Sequence, residues 1–244
     1  VEHCTIRNNS YGALLSGITG AALSVNNVFQ NNAVNGIYCL SSPGVQITNQ
    51  TLTGHTSPSG AIRIVDCNNF RIGAGNTITG NTWAVTMDFT SYPDAASVGN
   101  IPATGNTNND GLNCEGGTTG AVELWHPLGV PYVLTGACSI GSAGSLTIDP
   151  GCTVKFDAGT GLTIGGTLNA SGTVGQPILM TRRDAGEAWT GLAYSAASHG
   201  TLAYCTIEYA SYYGGTAAVR GDGYWPAVEH CTIRNNSYGA LLSG

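Results

Sequence analysis

Arg63, Asp66, Arg71 and Asp88 are the first residues of this chain to question for chemistry, because they fall on neighbouring repeats of a short apolar pattern. Together they would line a shallow groove of mixed charge. Surface ion pairs on stacked strands explain the same spacing more simply, and exposed pairs of that kind contribute little. Two other groups compete with them. Arg182, Arg183, Asp184 and Glu187 lie together in TRRDAGEAW and read as a solvated loop. Asp149, Lys155 and Asp157 lie in TIDPGCTVKFD, where Asp149-Pro150-Gly151 signals a turn and Lys155 reads as a strand-face lysine before it reads as a base. The run NTNNDGLN sets Asn106, Asn108, Asp110 and Gly111 at relative positions 1, 3, 5 and 6 of an acidic calcium loop. Position 12 of such a loop needs a bidentate acid, and Gly117 stands there. The five histidines do not cluster with cysteines at zinc-ligand spacing, and no GxSxG or Cys–His arrangement stands out. No catalytic residue, metal or cofactor is therefore assigned.

Trp83, Trp125, Trp189 and Trp225 would serve as sugar-stacking platforms or, more simply, pack at bends. Asn8, Asn49 and Asn169 head glycosylation sequons, which an Asn- and Thr-rich chain produces by accident. Eight cysteines lean toward an oxidising compartment. Cys205 and Cys231 occupy equivalent places in successive repeats, within reach of a disulfide or as small apolar fillers. Cys138 and Cys152 would close one short turn. Glu208 and Arg234 fall at matching positions of the same two repeats and form a candidate ion pair across strands.

Charge is sparse: 9% of residues, with a net charge of −6. A nucleic-acid partner would need a basic stripe, which such a chain lacks. No run of ~18 apolar residues exists to span a membrane as a helix. Hydrophobic residues still make up 42%, and they are regularly placed, which argues against disorder. The 36 glycines, with abundant Asn, Thr and Ser, imply many turns and few helices.

Two periods organise the chain. VEHCTIRNNSYGALLSG occupies residues 1–17 and returns without a change at 228–244, a period of 227 residues. We read this as a window on a longer array of units, with 1–114 the later coils of one unit and 115–244 the opening coils of the next. A shorter period of 22–26 residues runs inside it. Ile6, Phe29, Leu52 and Ile78 form one apolar series, and Ala13, Ile37, Ile62 and Val85 a second. Ile207 and Ile233 continue the first in the later part of the chain. Within each run, inward and outward residues alternate, which is strand geometry. Strands this short need neighbours above and below, and the repeat supplies them. The fold class is therefore all-β: a right-handed parallel β-helix, or β-solenoid, with the six named residues stacked as an inward column.

CTIRNNSYGALL, followed by VFQNNAVNGIY, resembles the β-helix repeats of the pectate-lyase-like superfamily. Residues 124–181 resemble the opening coils of β-helix domains in large bacterial surface proteins. The resemblance implies fold more strongly than activity. For superfamily enzymes that cleave acidic polysaccharides it implies acids clustered around calcium and an Arg or Lys base on an outer sheet face; only the Arg63 group comes near that pattern. A chain that copies itself makes length, whereas an enzyme needs one site. The expected function is an extracellular or cell-surface structural protein, a stalk, sheath or filament with an adhesive role, whose partners are further copies of itself. The competing expectation is a carbohydrate-active enzyme or glycan-binding module with a polysaccharide partner.

Overall fold

The computed structural model describes every residue except Asn109, Asp110, 212–216 and Gly244. Asp110, the one carboxylate of the calcium-loop pattern, thus lies outside the described residues. The chain is an all-β parallel solenoid of about 10 turns. Its only helix among the described residues is the 3-10 turn Ala95–Ser97. Among the described residues no helix is long and apolar enough to cross a membrane. Contacts divide the chain into two compact units, residues 1–113 with 128–130, and residues 114–127 with 131–244.

In the first unit each turn lays down three short strands, and each strand pairs in parallel with its equivalent one turn later. One ladder holds Thr5–Arg7, Asn27–Gln30, Gln50–Thr53 and Thr77–Thr79. The second holds Tyr11–Ser16, Asn35–Leu40, Ile62–Val65 and Val85–Met87, and the third Ala22–Leu23, Gln46–Ile47, Asn68–Ile72 and Tyr92–Pro93. Ile6, Phe29, Leu52 and Ile78 stand in register along the first ladder. Ala13, Ile37, Ile62 and Val85 do the same along the second. Ile62–Val65 shows the alternation: its isoleucines are buried and Arg63 points outward. Each buried aliphatic or aromatic side chain contributes about 1.5–3 kcal/mol relative to exposure.

The second unit is built the same way. The strands of one ladder are Gly117–Thr119, Cys138–Ile140, Leu162–Ile164, Leu192–Tyr194, Ala217–Asp222 and Tyr238–Ser243. Another contains Tyr132–Leu134, Thr153–Phe156, Ile178–Arg182, Cys205–Glu208 and Thr232–Arg234. Ile207 and Ile233 are in register there, on a column that runs back through Met180 and Val154 to Tyr132. The six residues expected to share one column therefore form two, one within each unit. Large rings fill this core: Trp125 stacks on Tyr132 at 4.3 Å, and Phe156 on Trp189 at 4.0 Å.

Polar columns hold the corners of the first unit, and the apolar periodicity gave no hint of them. Asn9, Asn32, His55, Asn81 and Asn106 succeed one another at one corner. The side-chain oxygen of Asn32 accepts from the Asn9 backbone N–H (3.1 Å), that of Asn81 from His55 N–H (3.0 Å), and that of Asn106 from Asn81 N–H (3.1 Å). The Asn32 amide also donates to the Ile6 carbonyl, Asn81 to Leu52 and Asn106 to Ile78. Each amide thus satisfies backbone groups that the sharp bend removes from the strand ladders. A second corner stacks Asn27, Gln50 and Asn76 in the same manner. The third uses Ser42, Cys67 and Ser91.

The bend itself requires a left-handed residue just before each inward amide. Asn8, Asn31, Gly54, Gly80 and Gly105 all have φ between 51° and 89°. Asn and Gly tolerate that region best. Gly54 is constrained twice over, because a Cβ there would lie 2.0 Å from the Asn31 side-chain oxygen. Gly36 has an ordinary φ but meets the buried His55 ring, which an added Cβ would approach to 2.9 Å.

Candidate functional site

The duplicated turn is where sequence and geometry meet most closely. Its two copies have the same residues but open edges on opposite sides. In the first copy, Thr5–Arg7 pairs with Val28–Gln30, and Tyr11–Ser16 with Asn35–Leu40, so the turn is covered by the one that follows it. In the second copy, Thr232–Arg234 pairs with Thr206–Glu208, and Tyr238–Ser243 with Ala217–Asp222, so the turn is covered by the one that precedes it. Ile6 and Ile233 are accordingly only half-buried, while Phe29 and Ile207 beneath them are buried. Tyr11, Leu14, Tyr238 and Leu241 are exposed apolar residues of the same two copies.

The bonds made on the two sides differ in large part, although the amide nitrogen of Asn9 and that of its copy Asn236 each donate, to Asn32 and to Ile207. On the following side, the backbone N–H groups of Cys4 and Asn9 donate to Asn27 and Asn32. On the preceding side, side chains act together with the Ser237 N–H, which donates to the Ala210 carbonyl. The Asn236 oxygen accepts from Ala210 N–H at 2.7 Å, and its amide donates to the Ile207 carbonyl at 3.1 Å. Arg234 Nε lies 2.8 Å from the Glu208 carboxylate, which also accepts from Thr181. Glu208 is buried and Arg234 largely exposed, so the guanidinium closes over the acid from the solvent side.

The other charged groups are tied into turns. Arg63 lies over the Tyr38 ring at 5.4 Å, and Tyr38 stacks on Tyr11. Asp66 accepts from the Ser41 hydroxyl, and Asp88 accepts from the Asp66 backbone and from Thr90 and Ser91. These carboxylates brace bends. Arg71 stands apart from them on the third ladder, in register with Gln46. In the second unit the structure unites residues that sequence reading kept separate. Phe156 and Arg182 are register partners, so Asp157 comes beside Arg183 at 3.4 Å. Asp157, Asp184 and Glu187 bring one oxygen each within 4.8 Å of one another, the only such grouping among the described residues. Arg183 also reaches Asp184, at 3.8 Å, and Arg182 lies 3.9 Å over the Tyr209 ring. The cluster is thus interleaved with two guanidinium groups. Asp149 pairs with His126 at 2.7 Å, and Lys155 stands on a strand between Val133 and Thr181.

No disulfide is formed: all eight cysteines are thiols. Cys138 faces Cys114, with 3.9 Å between sulfurs, across two ladders: Cys114 ends the strand Leu112–Cys114 and Cys138 begins Cys138–Ile140. Cys152 precedes the strand Thr153–Phe156 and donates to the Trp125 carbonyl, which corrects the Cys138–Cys152 pairing. Cys205 and Cys231 are neighbours in successive turns, and the Cys205 backbone N–H donates to the Cys231 sulfur at 3.4 Å. Hydrogen bonding between the two thiols draws Cys231 below the usual thiol range and pushes Cys205 up, with burial adding to the rise at Cys205. Burial also raises Cys39 strongly and lifts Cys152 to about 12, with Asp149 adding to the second. Trp83, Trp125 and Trp189 are core residues, so their faces offer no sugar platform; Trp225 is half-buried.

No family model, curated protein or solved structure matches the chain.

Proposed function

We propose that this chain is a segment of an extracellular, tandemly repeated β-solenoid whose function is structural: a stalk, sheath or filament at the cell surface, with surface adhesion as its second role. The observation that carries this reading is the duplicated turn. One seventeen-residue sequence meets residues 27–40 on one edge and residues 205–222 on the other. A single copy placed between those two partners would have both edges covered, and an array of 227-residue units places one copy at every junction. Open solenoid ends recruit further strands unless they are covered. The repeat architecture also fits additive stability from neighbouring turns. The thiols carry none of this reading. The finer assignment, to right-handed β-helices of the pectate-lyase-like kind, rests on CTIRNNSYGALL and the polar corners behind it.

The test is a polypeptide of two full periods, in which the turn at 228–244 continues into a second unit. Electron microscopy should show a particle lengthened by ~45 Å per added period, from ~4.8 Å per turn. Its thermal transition should lie above that of the 244-residue chain. Two beads that unfold at the temperature of the single chain would refute the array. Incubation with acidic polysaccharides, followed by assay for shortened or unsaturated products, separates this reading from a lyase or glycosidase.

A further inference from the structure

We infer that Cys114 and Cys138 are a disulfide site: the folded turn accommodates a bond between their sulfurs, and the two join when the chain folds in the presence of a small-molecule disulfide. Both residues lie inside one compact unit, away from the duplicated turn, and the site stands apart from the proposed array.

Place comes first. Cys114 closes the strand Leu112–Cys114, and Cys138 opens Cys138–Ile140 one turn later. Both side chains are buried, and their sulfurs are 3.9 Å apart. A disulfide needs about 2.05 Å, so the sulfurs must close by less than ~2 Å, which is a matter of side-chain rotation. The backbone around them is already drawn tight. Thr135 N–H donates to the Cys114 carbonyl at 3.0 Å, and Gly117 N–H to the Ala137 carbonyl at 2.9 Å. Between these two bonds a pair of glycines meets. A Cβ on Gly136 would lie 1.8 Å from the Glu115 carbonyl oxygen, and one on Gly116 would lie 2.7 Å from that of Ala137. Larger residues would push the two turns apart, and the thiols with them.

The other thiols are committed elsewhere. Cys67 accepts from the Ser42 N–H and donates to the Val65 carbonyl. Cys152 donates to the Trp125 carbonyl. Cys205 reaches the carbonyls of Ala170 and Ala203, and Cys231 those of Leu202 and Glu229. Turning those sulfurs toward each other would cost such bonds. Cys114 has the Cys138 sulfur as its partner, and the second contact of Cys138, to the Gly136 carbonyl, is long at 3.6 Å.

With oxidised glutathione as the oxidant, one cysteine thiolate attacks a glutathione sulfur and breaks its S–S bond. The departing half takes up the proton through solvent. The second cysteine sulfur then attacks the mixed disulfide and expels the other half, again with transfer of one proton. Two thiols lose two protons and two electrons, and the glutathione disulfide gains both. The hydrogen bond to Cys114, together with burial, pushes the Cys138 thiol well above the usual range. The exchange therefore belongs to the folding chain, before the turn closes over the pair, since the thiolate is the attacking species.

The experiment uses the full chain, unfolded in urea with reductant, freed of the reductant and refolded in a buffer of oxidised and reduced glutathione. A parallel sample refolds under reductant. Alkylation in denaturant and mass spectrometry count the free thiols. Cleavage after Glu115 and Glu123 puts the two cysteines on separate peptides. Two of the eight thiols should be lost, in a linked peptide joined through Cys114 and Cys138. The thermal midpoint should rise by roughly 5–10 °C over the reduced sample, because the bridge closes a loop one turn long in the unfolded chain. Cys152→Ala should keep the link and the shift; Cys138→Ala should lose both. Eight alkylated thiols after refolding with glutathione would overturn the inference. So would a bridge between other cysteines, or a Cys114–Cys138 bridge that lowers the midpoint. The two-period polypeptide, measured under reductant, tests the array independently of all these results.

Discussion

Asn81 offers the sharpest test of the view that polar corners, as well as apolar columns, hold this solenoid together. Its side chain is buried. Its oxygen accepts from His55 N–H at 3.0 Å and lies 2.9 Å from His55 Nδ1. Its amide donates to the carbonyls of Leu52 and Thr79 and to the Asn106 oxygen. Asn81→Leu keeps the branched skeleton and removes every one of these bonds. A buried donor left without a partner costs about 1–3 kcal/mol, and carbonyls that retain other bonds cost less. Leucine burial returns part of that, so the net loss should be about 2–4 kcal/mol. By the conversion of 1.36 kcal/mol per factor of ten, the His55 amide should exchange with deuterium roughly 30- to 1000-fold faster. Hydrogen exchange by mass spectrometry across residues 46–92, with urea unfolding alongside, measures both numbers. Thr77→Ala, an exposed position on the same turn, should stay within about 0.5 kcal/mol of the parent. A loss below ~1 kcal/mol with unchanged exchange at His55 would refute the reasoning, because water or neighbouring groups would then be doing the work assigned to the amide.

Three further outcomes follow from the same geometry. Arg234→Ala should destabilise by about 1–2 kcal/mol, less than a fully buried pair because the guanidinium is largely exposed, while Arg7→Ala, the same residue in the same sequence, should change thermal stability by less than about 0.5 kcal/mol. Burial lowers the His55 pKa against an opposing hydrogen bond to Asn81, so the unfolded chain binds more protons as pH falls below the unfolded value of 6.5. Stability should therefore be fully present above pH ~6.5 and decline below it, by at most about 1.4 kcal/mol per pH unit, and His55→Asn should flatten that slope in urea titrations. Ellman's reagent at neutral pH should titrate Cys4 and Cys231 in the folded protein, since Cys4 is exposed and Cys231 half-buried with a lowered pKa, and reach the other six thiols only on unfolding.

What could be read from the residues alone was the part of the fold that repeats in apolar identity. Ile6, Phe29, Leu52 and Ile78 are all large and apolar, and a period of hydrophobicity finds them directly. The corners escaped because their logic is conformational. Four of Asn9, Asn32, His55, Asn81 and Asn106 are asparagines, but an Asn-rich chain hides any one of them. Their signature is the preceding residue: Asn8, Asn31, Gly54, Gly80 and Gly105 share a left-handed φ, so a search for Asn or Gly followed by a polar residue at 23–26 spacing would have found the column. The acid–guanidinium cluster escaped for another reason. Asp157 and Arg183 are 26 residues apart, one turn, yet lie beyond the ends of the apolar runs that set the register. Closeness in sequence is a poor guide to thiol neighbours here: Cys138 meets Cys114, 24 residues earlier and one turn away, and not Cys152.

These misses bear on how a solenoid chooses the order of its turns. Apolar columns cannot do so alone, since isoleucine accepts leucine or phenylalanine above it with little loss. Polar corners discriminate more steeply, because a mismatched amide leaves buried backbone unpaired. Glu208 adds a second criterion. It is a buried acid that needs a cation from the next turn, and among the strands aligned on it only Thr232–Arg234 supplies one. Cys205, Ala210 and the Ile207 carbonyl ask for a sulfur and an amide at fixed offsets from that arginine, and the duplicated turn supplies both. The turn after 205–222 is thus specified by chemistry as well as by shape. The same seventeen residues are specified again, through other atoms, by Asn27 and Asn32. In the proposed array one turn would meet both sets of partners, which is a physical reason for two copies of it to remain identical.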